Sequence, residues 1–326
     1  MTIFLILSLF FSVIILIKAS DHVVKALRRL GRETHTKVFV LSAILLAVST
    51  SFPEMFVGIT SALEGTPQLS FGDVLGSNIV NISLVAGLSA LLAGRVHING
   101  EYIKKEVWLA AVAGALPLIL IYDKTLSRVD GLILLATYGA YATSFFKVRF
   151  LQIAHQHRKE GYIHRFLRNF EHPIEAAIQH RKEYGRLFIA LAVMLLSASF
   201  IVKVATTLAV AANIPVFLVG LIFVSVGTSL PELAFSIRSL NNHAPTMFFG
   251  NLLGSNIANS TLILGLVATI SPIRIGGISE YMIAVTAYLV IFVAFWFFIR
   301  SKLTLERWEA AVLLLIYLTF VFVEFV

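Results

Sequence analysis

The chain has 326 residues, 58% of them hydrophobic and 13% charged, against roughly 25% charged in an ordinary soluble domain. That leaves too little polar side chain to cover a core of this size in water, which excludes a soluble enzyme. The absence of Cys removes disulfides, thiolate metal sites and cysteine nucleophiles together, and the net charge of +8 is explained by where the basic residues fall, not by affinity for nucleic acid.

Apolar runs between charge clusters predict spans at 2–18, 38–63, 71–94, 106–122, 129–146, 187–206, 214–240, 248–270, 281–299 and 308–325. Most are close to the ~20 residues that cross ~30 Å of hydrocarbon. The predicted fold is an all-α polytopic membrane protein with ten transmembrane helices. The first run is a retained helix rather than a signal peptide, because its positive cluster (Lys18, Lys25, Arg28, Arg29, Arg32) follows the apolar stretch instead of preceding it. When the connections are sorted by side, 22 of the 26 Lys and Arg fall on one face; only Lys124, Arg128, Lys203 and Arg274 fall on the other. Basic connections stay in the cytoplasm, so both termini are expected outside, in a prokaryotic inner (plasma) membrane.

The long connection, 148–185, carries Arg158, Lys159, Arg165, Arg168, Arg181 and Lys182 opposite an apolar stripe that includes Ile163, Phe166 and Phe170. This pattern predicts helix lying on an anionic inner leaflet, interrupted near Pro173. Its five His, His155 and His157 among them, read as solvated loop residues rather than a metal site.

The chain repeats itself. Thr-Ser-Phe-Pro-Glu at 50–54 recurs as Thr-Ser-Leu-Pro-Glu at 228–232, and the stretch around Gly-Ser-Asn-Ile at 76–79 recurs at 254–257. Both share an offset of 178 residues, and 48–88 matches 226–266 at 19 of 41 positions. A five-helix unit has an odd number of crossings, so its second copy enters the membrane from the opposite side. The expected layout is a first five-helix repeat at 1–147, a cytoplasmic basic loop at 148–185 and an inverted second repeat at 186–326, with a substrate site at the midplane between them.

The repeated residues define that site. Glu54 and Glu232 lie inside spans two and seven, where a carboxylate costs on the order of 2.5–3.5 kcal/mol by insertion scales. No Lys or Arg lies within a turn of either one, Arg238 standing at the far end of span seven, so a transported cation is the expected partner. Pro53 and Pro231 deny an amide to the carbonyls of Ser49 and Gly227 and break both helices in mid-membrane. Freed carbonyls, with the hydroxyls of Thr50, Ser51, Thr228 and Ser229, make the hard oxygen set that Na+ or Ca2+ accepts. In spans three and eight, Asp73, Ser77 and Asn81, and likewise Asn251, Ser255 and Asn259, recur every four residues as polar stripes. Gly72 and Gly76, with Gly250 and Gly254, allow close backbone approach. An amide in lipid must bond a helix or an ion, and Asn81 and Asn259 are read as ligands.

On these motifs the sequence resembles the cation/calcium antiporter superfamily, specifically the sodium/calcium exchanger branch and its prokaryotic members. The resemblance covers essentially the whole chain. It implies that Glu54, Asn81, Glu232 and Asn259 surround a central site, that Thr50, Ser51, Ser77, Thr228, Ser229 and Ser255 complete Na+ and Ca2+ sites, and that backbone oxygens near Ala47 and Ser225 contribute. It implies no enzyme activity and no cofactor: Na+ and Ca2+ are substrates, and the lipid bilayer is the other partner. The proton-coupled branch usually carries Gly-Asn-x-x-Glu where this chain has Gly-Ser-Asn-Ile, which favours Na+ coupling over the alternative of H+-driven exchange of Ca2+ or another divalent ion. An intramembrane hydrolase is disfavoured because no His lies in the motifs to act as base. Three positions depart from the family pattern. Ser49 stands for a usual Gly, and Asp73 stands for a usual Asn and is read as an access-route residue beyond the ligands. Asn259 stands where the potassium-dependent branch has Asp, which implies exchange without a K+ requirement.

The charge asymmetry makes a testable statement about orientation. A single Cys introduced in the 148–185 loop is expected to react with impermeant maleimide only from the cytoplasm, and one appended at Val326 only from outside; reversed labelling overturns the assignment.

Overall fold

The computed structural model describes residues 2–33, 50–97, 101–156, 181–276, 279–302 and 304–324. In chain order the helices are α1 (Thr2–Glu33), α2 (Phe52–Leu63), α3 (Pro67–Ala93), α4 (Glu101–Leu120) and α5 (Arg128–Gln156). They continue as α6 (Arg181–Ala212), α7 (Val216–Asn241), α8 (Pro245–Ile270), α9 (Ser279–Lys302) and α10 (Arg307–Glu324). Among the described residues seven are long and apolar enough to cross a bilayer: α1, α3, α4, α6, α7, α8 and α9. The other three fall short for visible reasons. α2 is only 12 residues long, because the first part of the expected span, 38–49, lies outside the described residues. α5 is described with its side chains only as far as Thr143, too short a stretch to count as a span, and the 18 residues of α10 include Arg307, Glu309 and Glu324. α1 outruns its predicted span, its 32 residues giving a rod of about 48 Å. α5 and α6 likewise run into the predicted loop, and the loop's central portion, 157–180 with its His and Pro173, lies outside the described residues.

The distribution of side chains is that of a protein dissolved in lipid. Phe4, Phe11, Trp108, Phe188, Phe297 and Phe322 are exposed, while Asp73, Glu54, Glu232 and a set of Ser, Thr and Asn are buried. Hydrocarbon accepts the first group at no cost, and the second must find partners inside the protein. The apolar interior divides in two. One cluster joins Leu9, Val13 and Leu16 of α1 to Met194, Ala198, Ile201 and Ala205 of α6. The larger one runs through α3, α4, α7, α8, α9 and α10, from Phe71 and Ile79 to Phe249, Phe295 and Phe320.

Two short antiparallel ribbons cross between the repeats. β1 (Val96–His97) pairs with β4 (Thr304–Leu305), and β2 (Thr125–Leu126) pairs with β3 (Ile273–Arg274). The offset of 178 residues carries β1 onto β3 and β2 onto β4, so it exchanges one ribbon with the other. Arg95 closes the first ribbon with an ion pair to Glu306 at 2.9 Å, and Glu306 also accepts the indole N–H of Trp308 at 2.9 Å. The Ile275 N–H donates to the Lys124 carbonyl at 3.0 Å beside the second.

α3 lies against α7 backbone to backbone. A Cβ on Gly72 would strike the Phe217 carbonyl, and one on Gly76 the Leu221 carbonyl and Ser225. Backbone cannot step aside as a side chain can, so Gly76→Ala is expected to force the helices apart. The cost is about 1–3 kcal/mol, the usual range for overpacking, and is read as a lowered melting temperature in detergent. Gly139→Ala on α5, where nothing lies within 4 Å of the added atom, is expected to melt as the wild type does.

Candidate cation site

In the second repeat the helix breaks where its proline predicts, and in the first the equivalent residue has the same conformation. Ser51 has φ −86° and ψ 11°, and Ser229 has φ −81° and ψ 1°. These near-identical non-helical residues cap the short helices that begin at Phe52 and Leu230. Pro53 and Pro231 occupy the first turn, where a missing N–H costs nothing. Glu54 and Glu232 follow directly and are fully buried. A carboxylate in the first turn of a helix faces the positive end of its dipole, which gives part of the stabilisation that water would otherwise supply.

The hydroxyls above the breaks reach across to the opposite repeat. Thr50 donates to Asn251 Oδ1 at 3.1 Å and lies 3.2 Å from Ser255 Oγ. Thr228 donates to Asp73 Oδ1 at 3.0 Å and lies 3.4 Å from Ser77 Oγ. The offset of 178 maps each of these residues onto its counterpart, so the two arrangements are one motif used twice. Ser255 donates to Glu232 Oε1 at 3.4 Å. Asn81 Nδ2 donates to Asn256 Oδ1 at 3.1 Å, and Asn78 Nδ2 to Ser260 Oγ at 2.6 Å, which ties α3 to α8.

Oxygens are left over. Both carboxylate oxygens of Glu54, one of Glu232, one of Asp73, the amide oxygens of Asn81 and Asn259, and the hydroxyls of Ser51 and Ser229 are buried without a hydrogen-bond partner among the described residues. Glu54 lies within electrostatic reach of Glu232 and Asp73. Buried Lys, Arg and His are absent among the described residues. Nor do three acid or imidazole side chains cluster closely enough there to enclose a metal by themselves. The available set is therefore mixed: carboxylate, amide, hydroxyl and carbonyl oxygen, with no nitrogen or sulfur. Hard cations of the Na+ and Ca2+ kind accept such a set, and softer transition metals prefer others.

Of the residues singled out from the sequence, Thr50, Ser255 and Glu232 are joined by hydrogen bonds, as are Ser77 and Thr228; Glu54 lies within electrostatic reach of Glu232, Asn81 bonds Asn256, and Ser51, Ser229 and Asn259 are buried. Ala47 and Ser49 lie outside the described residues. The Ser225 carbonyl accepts the Ser229 N–H at 3.1 Å, and the Ser225 hydroxyl donates to the Leu221 carbonyl at 2.5 Å. One lone pair of that carbonyl is thus already engaged.

Asp73 needs correcting. Read as an access-route residue, it is instead fully buried and hydrogen-bonded to Thr228. Eight residues along one helix separate it from Asn81 by about 12 Å, but the glycine contact with α7 brings Thr228 directly onto it. Two further features escaped the sequence reading. Asn78 and Asn256, present in the Gly-Ser-Asn triplet of both repeats, tie α3 to α8, and their identical recurrence was the available signal. The helices also widen into π turns at Asn81–Val85 and Ala258–Ile263. Such turns occur often at functional sites, and nothing in residue type marks them.

The chain is similar to sodium/calcium exchanger MaX1 of Methanosarcina acetivorans, at 28% identity over 98% of each chain. It is similar to inner membrane protein YrbG of Escherichia coli strain K12, at 30% identity over 79% of this chain and 78% of that one. Its fold matches structures of the sodium-calcium exchanger NCX_Mj, such as one soaked with Na+ and Sr2+, with a TM-score of 0.62 and 24% identity over 98% of each chain. Residues 4–147 and 182–326 match the sodium/calcium exchanger protein family; with nearly all of both repeats inside that match, the chain belongs to this family of multi-pass membrane proteins.

Proposed function

We propose that the protein is a secondary active antiporter that exchanges Na+ for Ca2+ by alternating access to one midplane site. The observation that carries this reading is the pair of fully buried glutamates, Glu54 and Glu232, at equivalent positions after Ser51 and Ser229, three of whose four carboxylate oxygens have no hydrogen-bond partner among the described residues. Ten spans in two inverted five-helix repeats account for the crossed hydrogen bonds and the exchanged ribbons. On the predicted topology β1 and β4 lie at the cytoplasmic end and β2 and β3 at the outer end, with both termini outside a prokaryotic inner membrane and the 148–185 connection in the cytoplasm. The similarity to MaX1 and NCX_Mj, both named as sodium/calcium exchangers, supports Na+ and Ca2+ as substrates.

Exchange follows from competition within one site. Glu54 and Glu232, with Asn81, Asn259 and the hydroxyls of Thr50, Ser51, Ser77, Thr228, Ser229 and Ser255, ligate either Ca2+ or Na+. Backbone oxygens near Ala47 and Ser225 complete the set. The fixed negative charge cannot hold Ca2+ and a full complement of Na+ together, so loading one displaces the other. Each helix break shared between hydrogen-bonded partners gives the site two closures, one toward each side.

The test is Ca2+ uptake into proteoliposomes under an outward Na+ gradient, an imposed pH gradient, or neither. Uptake is expected with the Na+ gradient; uptake driven only by the pH gradient overturns Na+ coupling. Glu54→Gln and Glu232→Gln keep shape and remove charge, a loss of about 4 kcal/mol per unit charge pair at ~4 Å and an effective dielectric near 20. Each is expected to weaken Ca2+ binding on the order of a thousandfold or more without unfolding the protein. Near-normal flux in either variant removes that residue from the site.

A further inference from the structure

The side chains assigned to the site, Thr50, Ser51, Glu54, Ser77 and Asn81, recur unchanged in the second half, but the acid beside them does not. Where the second repeat offers the neutral Asn251 to Thr50, the first offers the acid Asp73 to Thr228, in the same geometry. We infer that Asp73 is a third carboxylate ligand, holding a Na+-sized monovalent cation against Ser77 and Thr228 on one flank of the site. The inference deepens the antiporter reading and rests on it for its transport readout alone.

Four observations support it. Asp73 is fully buried, and its Oδ2 has no hydrogen-bond partner among the described residues while its Oδ1 is held by Thr228. Helix packing alone does not call for the charge, because Asn251 makes the equivalent bond to Thr50 with an amide oxygen. Asp73 lies within electrostatic reach of both glutamates, yet the three do not converge as a single metal cluster among the described residues. This places Asp73 at a flanking position rather than at the centre. Finally, the spacing suits a small ion. Ser77 Oγ and Thr228 Oγ1 are 3.4 Å apart, which matches the edge of an octahedron whose oxygens lie about 2.3–2.6 Å from the ion, as they do around Ca2+. Na+ has nearly the same radius as Ca2+, whereas K+ needs wider spacing.

A third fixed charge makes the site asymmetric. It leaves room for one more monovalent cation on the Asp73 side, so the full Na+ load exceeds what two glutamates alone would balance.

The experiment uses the full-length protein in detergent and in proteoliposomes. Thermal stabilisation is titrated with Na+, K+ and Ca2+ separately for the wild type, Asp73→Asn and Asn251→Asp, and Na+-driven Ca2+ flux is measured in parallel with and without K+. Asp73→Asn keeps an acceptor for Thr228 and is expected to fold. Its Na+ midpoint is expected to rise by at least ~10-fold and the Na+ Hill slope to fall by about one, as loss of a unit charge beside the ion requires. Asn251→Asp restores symmetry with a fourth carboxylate and is expected to steepen the Na+ dependence. An unchanged Na+ midpoint and slope in Asp73→Asn overturns the inference. If that variant does not fold, an unchanged Na+ dependence in Asn251→Asp overturns it instead. K+ stabilising the wild type as well as Na+ does, or an absolute K+ requirement for flux, also overturns the choice of ion. Na+ stabilisation that depends on Asp73 in a protein without Na+-driven Ca2+ flux sinks the antiporter reading and keeps the site; normal flux indifferent to Asp73 does the reverse.

Discussion

A carboxylate held in hydrocarbon without a counter-charge is the constraint on which the rest of the molecule depends. Glu54, Glu232 and Asp73 are buried among described residues that include no buried Lys, Arg or His. An internal salt bridge would settle the electrostatics, but it would also fill the site with a fixed cation and leave nothing to exchange. The protein instead surrounds its acids with weak, neutral oxygen donors. The helix breaks aim the first turns of α2 and of the second part of α7 at the glutamates, and the crossed threonines hold the breaks in register. Each of these devices lowers the cost of the buried charge without cancelling it.

Close approach is the second requirement, and glycine meets it. With Gly72 and Gly76 against the backbone of α7, the side chains of Asp73 and Ser77 on the same helix stand within hydrogen-bonding range of Thr228. A bulkier seam would move these groups apart by the width of a methyl group and leave water or nothing between them. The π turns at Asn81 and Asn259 serve the same end by different means, since a widened turn displaces the side chains around it from the helical stripe that regular spacing would give.

Much of this was legible in the sequence, for physical reasons. Apolar runs of bilayer length, a proline beside an acid in mid-span and a motif recurring after 178 residues are local signals, and they singled out Glu54 and Glu232, which the fold buries, and Thr50 and Thr228, which it bonds across the repeats. What the sequence hid was contact between elements. Asp73 looked remote because distance was measured along its own helix, and the contact that matters comes from α7. Asn78 and Asn256 went unread because their partners, Ser260 and Asn81, lie on the opposite repeat. The expected ten spans also exceed the seven helices that meet the length and apolarity requirement among the described residues, because charged residues end α10 and the described parts of α2 and α5 are too short.

The crossed hydrogen bonds also constrain how the chain comes into being. Thr50 and Asn251 are 201 residues apart, and Asn78 and Ser260 are 182 apart. At a synthesis rate of about 5–20 residues per second, the first repeat waits on the order of 10–40 s for the partners of its polar face. During that interval Glu54, Asp73 and Asn78 have no second half to satisfy them, and an unpaired acid or amide at membrane depth is costly. The nascent first repeat is therefore a client for whatever shields polar helices at the translocon, and its lifetime there is set by the ribosome rather than by the speed of helix packing.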